Sequence, residues 1–164
     1  MYEASVPVFT ARLKALSGVL SEAERNAAER RIDPQVFLAA RLAPDMFALT
    51  RQVQIATDHA KGAPSRLAGL APPKYEDNEA SFADLHARLA RTVDYLETFS
   101  ADDIDGSEDR AIELKIGGRD IAMPGMQYLL HFAMPNFYFH VTTAYDILRH
   151  NGVPLGKVVF MKGH

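Results

Sequence analysis

In the run Pro135 to Gly152, Asn136, His140, Thr143 and Ile147 recur at helical spacing. Three consecutive polar side chains therefore share one face of a helix that is otherwise aromatic and apolar. A buried polar row must find partners or cost roughly 2 kcal/mol or more per group. An amide, an imidazole and a hydroxyl in line can hold a small molecule, and Asn136, His140 and Thr143 are the predicted pocket-lining residues.

The six histidines are the other source of chemistry: His59, His86, His131, His140, His150 and His164. Neutral imidazole is the commonest metal ligand, and helical bundles build metal sites from facing helices. Only His59, His131 and His140 sit near apolar seams, so a metal site would have to combine these three. His86 lies among Asp84, Arg88 and Arg91 and reads as solvated. His150 falls in a last helical turn, where the dipole favours a cation. His164 ends the chain. A strong zinc signature places two histidines four apart with a carboxylate, whereas Asn136 stands four before His140. An amide oxygen is a poor ligand for zinc or nickel, so no cofactor is expected, with zinc or nickel as the alternative. Asp58, beside His59, reads as a solvated helix face or as a carboxylate orienting a ligand imidazole.

Other chemistry is excluded or thin. The absence of cysteine removes disulfides, thiolate ligands and a thiol nucleophile, and fits a reducing cytoplasm. A net charge of -3 does not supply the basic stripe that nucleic acid needs. No apolar run reaches the roughly 20 residues of a membrane helix. Gly117-Gly118 follows a strand pattern but is a turn and not a phosphate loop, and no Gly-x-Ser-x-Gly elbow exists. Asp102-Asp103-Ile104-Asp105-Gly106 lacks the closing glutamate of a calcium loop and reads as an acidic turn.

The elements that must position these residues follow from apolar spacing. Val6, Phe9, Leu13, Leu16 and Leu20 predict a helix through about Val19, and Ser21-Glu22-Ala23-Glu24 has the form of a capping box opening a second piece to Arg31. Asp33-Pro34 opens a short segment through Leu42. Pro44 opens a long helix with Met46, Leu49, Val53, Ala56 and Ala60 as its seam, broken near Gly62 and Pro64. Residues 70–78 form a loop around Pro72-Pro73. Phe82, Leu85, Leu89, Val93 and Leu96 mark the next helix, capped by Asn78 or Ser81. Ser100 to Asp109 reads as an exposed acidic loop. Residues 112–116 and 119–123 flank Gly117-Gly118 as a hairpin. Pro124 to Met134 is helical and leads into the final helix. The tail from Val153 reads as irregular or strand-like. The whole chain, 1–164, forms one all-α domain: a four-helix bundle with a small hairpin between the third and fourth long helices.

The segments Pro135-Asn136-Phe137-Tyr138-Phe139-His140-Val141-Thr142-Thr143-Ala144-Tyr145 and Leu148-Arg149-His150-Asn151-Gly152-Val153-Pro154-Leu155-Gly156-Lys157, with Asp58-His59-Ala60-Lys61-Gly62, resemble the DinB/YfiT-like superfamily, within it a bacterial branch of unknown function. The resemblance spans nearly the whole chain and is most specific in the C-terminal third. It implies a DinB-like bundle of up-down-down-up topology, often a homodimer. Metal-binding members use one histidine on the second long helix and two, four apart, on the last. His140 matches the final one, Asn136 stands at the other last-helix position, and the second-helix position falls near Gln54 or Ile55. The expectation is thus a small-molecule-binding cytoplasmic bundle with an incomplete triad. One alternative is a metal-dependent enzyme, a thiol-S-transferase or hydrolase, with ligands His59, His131 and His140. The other is a dimeric interaction module without ligand. The aromatic cluster Phe132, Phe137, Tyr138 and Phe139 supports the homodimer.

Overall fold

The first apolar seam continues through Ala23 and Ala27, and α1 runs unbroken from Val6 to Arg30. The expected interruption at Ser21 does not occur. Its hydroxyl donates to the Ser17 carbonyl one turn back (3.1 Å) instead of capping a new helix. The computed structural model describes residues 1–162; His164 lies outside them. Asp33 caps the short α2, Pro34–Leu38, accepting from the Gln35 N–H.

The second long helix, α3, is Leu49–Leu67. It starts later than Pro44, because residues 42–46 form bends and a turn. It also passes through Pro64 without a break. Side chains serve nearby carbonyls: Ser65 Oγ donates to Lys61 C=O (2.7 Å) and Arg66 Nη1 to Gly62 C=O (3.1 Å). Ser81, rather than Asn78, caps α4, Phe82–Leu96, with Asp84 answering it. The acidic stretch is not all loop. Ser100 and Asp103 form a capping box that starts α5, Ala101–Ile104.

The hairpin forms as its sequence predicts, β1 at Ala111–Ile116 and β2 at Arg119–Pro124. Gly117 and Gly118 both take positive φ (57° and 82°), the type I′ pair that side chains with a Cβ resist. The chain then enters α6, Gly125–Tyr128, a π turn at Leu129–Ala133, and α7, Met134–His150. The π turn absorbs Pro135, which has no N–H to continue a regular ladder. The tail is helical where a strand or coil is expected: α8, Lys157–Met161, is held to α1 by Arg12, whose guanidinium donates to the Phe160 and Met161 carbonyls.

Side-chain pairs fix the helix directions. Lys14–Glu97 and Ser17–His86 make α1 and α4 antiparallel. Thr57–Arg88 and Ser65–Tyr95 make α3 and α4 parallel. Gln52–His140 and Arg66–Tyr128 make α3 antiparallel to the last helix, which runs beside α1 from the Phe9–Phe137 contact to the Arg30–Asn151 bond. The order is up-down-down-up. Phe9, Leu13, Leu16, Val53, Ala56, Leu85, Leu89, Phe137 and Ala144 share the core. Of the aromatic cluster, Phe137 is fully buried, edge-on to Phe9, and Phe132 is half-buried. Tyr138 and Phe139 remain exposed.

Candidate functional site

His140 sits in the second turn of α7, buried against the first turn of α3. Its Nδ1 lies 2.6 Å from Gln52 Oε1. Gln52 Nε2 in turn donates to the Phe47 carbonyl (3.0 Å), which fixes the amide with its oxygen toward His140. His140 must therefore carry its hydrogen on Nδ1 and present a lone pair on Nε2. His59, seven residues after Gln52 and so on the same face of α3, lays its ring on His140 at 6.1 Å and 13°. Burial lowers the His59 pKa to about 4, helped by the His140 imidazole and opposed by Asp58. Burial, then the Arg51 charge, also lowers that of His140. Near neutral pH the site holds two stacked, uncharged imidazoles.

Aromatic rings frame the pair. Phe132 meets His59 at 5.9 Å and stacks on Tyr128, whose hydroxyl accepts from Arg66 (3.2 Å). Phe139 stands edge-on to His140 at 5.2 Å. Beside His59 opens a cleft of about 300 Å³, with the rings of Tyr128 and Phe132, the charges of Asp58, Arg66, Glu113 and Lys115, and Leu114 in its walls. It carries both signs of charge over an aromatic floor.

The polar face of the last helix comes together differently from its sequence reading. Asn136 donates to the Phe132 carbonyl in the π turn (2.7 Å), and Thr143 to the Phe139 carbonyl (2.7 Å). Of the three predicted lining residues, only His140 is seen to hydrogen-bond to another helix among the described residues, and none of the three is among the cleft walls. His59 does join His140, whereas His131 is exposed on the π turn. His86 is half-buried on Ser17 (2.8 Å) rather than solvated. Gln54, one of the two residues expected near the superfamily's second-helix position, donates to Glu79 on the 70–80 loop. Among the described residues no group of three His, Cys, Asp or Glu side chains is placed to hold a metal ion.

Sequence reasoning missed Gln52, whose signal was its spacing of seven from His59. It also missed a second network behind the site. Arg88, whose side chain is 2% exposed, donates to Thr57 Oγ1 (2.6 Å) and Asp58 (3.1 Å), and pairs with Asp77 (3.0 Å) and Glu79 (2.9 Å). Its side chain and those of Lys61 and Arg91 lie over the Tyr75 ring. The 70–80 loop is thereby pinned to α3 and α4, and Asp58 is shared by Arg88 and Lys61 next to His59.

The architecture is thus a mostly helical bundle with a two-stranded hairpin ahead of its last long helix. The chain belongs to the family described as Domain of unknown function (DUF1993), which matches residues 1–161. A crystal structure of a DinB family member protein from Shewanella denitrificans is similar at 40% identity and a TM-score of 0.89, over 98% of this chain and 90% of that one. No curated protein matches. No helix among the described residues is long and apolar enough to cross a membrane.

Proposed function

We propose that the protein binds a small organic molecule in the cleft beside His59, with His59 as its polar anchor and His140 as the buttress behind it. The observation that supports this most is the stacked pair of neutral imidazoles, one oriented by Gln52, at the edge of a cleft lined by aromatic rings and both signs of charge. Such walls suit a ligand with a flat or apolar body and polar ends. Thermal-shift measurements with free amino acids, nucleosides and aromatic carboxylic acids test it. At least one compound is expected to raise the Tm of the wild-type protein and to lose that effect in His59→Leu. No shift with any of these classes, or a shift unchanged in His59→Leu, overturns the reading.

The alternative is a metal-dependent thiol-S-transferase or hydrolase. The observation in its favour is the Nδ1–H of His140 held by an amide oxygen, the orientation that leaves Nε2 for a ligand. Elemental analysis of untagged protein separates the two. About one zinc or nickel per chain, lost in His140→Ala, selects the enzyme.

A further inference from the structure

Gln52, His59 and Arg66 are spaced by seven, so the three stand in one row along α3. Gln52 orients His140 and His59 stacks on it, which leaves Arg66 without a stated role. Its Nη1 donates to the Gly62 carbonyl one turn back (3.1 Å) and to the Tyr128 hydroxyl (3.2 Å). Among the described residues its Nε and Nη2 meet no acceptor, although Arg66 is half-buried in the cleft wall.

Tyr128, another wall of the cleft, is 1% exposed. Its oxygen accepts from the guanidinium, which has no lone pair with which to accept in return. The phenolic hydrogen must therefore go elsewhere, and no acceptor for it lies among the described residues. Burial raises the Tyr128 pKa, opposed by Arg66, so that hydrogen is present near neutral pH. A buried O–H ordinarily finds an acceptor. A buried O–H beside charged N–H groups, all short of acceptors, suits an anion.

Gly62 is what lets the guanidinium lie there. A Cβ at this position would collide with Arg66 Nη1, whereas its nearest neighbour outside Arg66 is Pro72 Cγ at 4.0 Å. Glycine inside a helix costs about 1 kcal/mol relative to alanine, so α3 gives up stability where it gains the placement of a charge. The other charges in the walls limit what fits. Asp58 is already shared by Lys61 and Arg88. The Glu113 carboxylate disfavours a dianion such as a phosphate, whereas a single negative charge balances Arg66.

We propose that Arg66 and Tyr128 form the anion end of the cleft and that its ligand is a small aromatic carboxylate. The carboxylate accepts from the Arg66 guanidinium and the Tyr128 hydroxyl, the ring lies against Phe132, and a polar group at the far end reaches His59. His59 and Arg66 are two helical turns apart, about 10 Å along α3, the scale of one ring with a polar group at each end. This rests on the reading of the cleft as a binding site and adds the chemical class of what it binds.

Calorimetry with 4-hydroxybenzoate, its neutral counterpart 4-hydroxybenzamide and phenyl phosphate tests it. The acid is expected to bind at least about tenfold more tightly than the amide, the step that hydrogen bonds to a charged group supply. Arg66→Met and Tyr128→Phe are each expected to remove most of that preference. Gly62→Ala keeps the arginine but displaces its guanidinium, and is expected to weaken the acid about tenfold while leaving Tm unchanged or higher. Circular dichroism checks that the bundle is intact in each variant. An amide that binds as tightly as the acid overturns the carboxylate end, and so does an acid affinity indifferent to all three variants. Tighter binding of phenyl phosphate than of the acid overturns it as well, as does no binding of any of the three. Acid and amide bound equally, with both lost in His59→Leu, would sink the anion end while the cleft stands as the binding site.

Discussion

Acid should act first on His59. Its folded pKa, about 4, lies below its ordinary value of 6.5. Between those values the unfolded chain binds a proton that the folded chain refuses. Stability therefore falls as pH drops from about 6.5 toward 4 and is fully present above that window. Because His59 is only half-buried, the loss is roughly 2 kcal/mol. Urea titrations at pH 7 and pH 4.5 should show it, and His59→Leu should remove that component. The tautomer of His140 is a separate expectation: nitrogen NMR at pH 7.5 should find its hydrogen on Nδ1, and Gln52→Leu should release that preference. His140 was legible in the sequence as a polar residue on an apolar helix. The roles of Asn136 and Thr143 were not, because spacing places a side chain on a face but does not say whether it reaches across or bonds back to its own helix.

Among the elements, the junction at Pro135 and the loop before α4 depend most on single side chains. Asn136 supplies the Phe132 carbonyl in the π turn with a donor, so Asn136→Ala should cost about 1 kcal/mol in thermal unfolding. Arg88 holds the 70–80 loop through Asp77 and Glu79, the latter itself buried. Arg88→Met should cost about 3–5 kcal/mol, because it leaves buried carboxylate without its cation. Limited proteolysis should then cut within residues 70–80. Arg88→Lys should recover little, since an ammonium cannot replace the fork that reaches Thr57, Asp58 and Glu79 together. The four long helices and the hairpin were readable from apolar period and the Gly-Gly turn. The misreadings fell on punctuation. Ser21 and Pro64 look like stops, and the helix continues through each, with Ser21 bonding back to the Ser17 carbonyl and Ser65 and Arg66 to those of Lys61 and Gly62.

For the molecule as a whole, the core is a single cluster reached by all four long helices. Phe137, fully buried on Phe9, joins the last helix to the first, and Phe137→Ala should lower unfolding free energy by about 3–5 kcal/mol. The order up-down-down-up has a consequence for how this protein comes into being. Apart from α3 on α4, the most extensive pairings among the long helices join helices distant in sequence: α1 waits for α4, and α3 waits for α7. High contact order slows folding relative to bundles made of successive helical hairpins. On the ribosome, α1 meets α2 and α3 first but its main partner only when α4 has emerged, and α3 keeps its His59 face uncovered until almost the entire chain is synthesised.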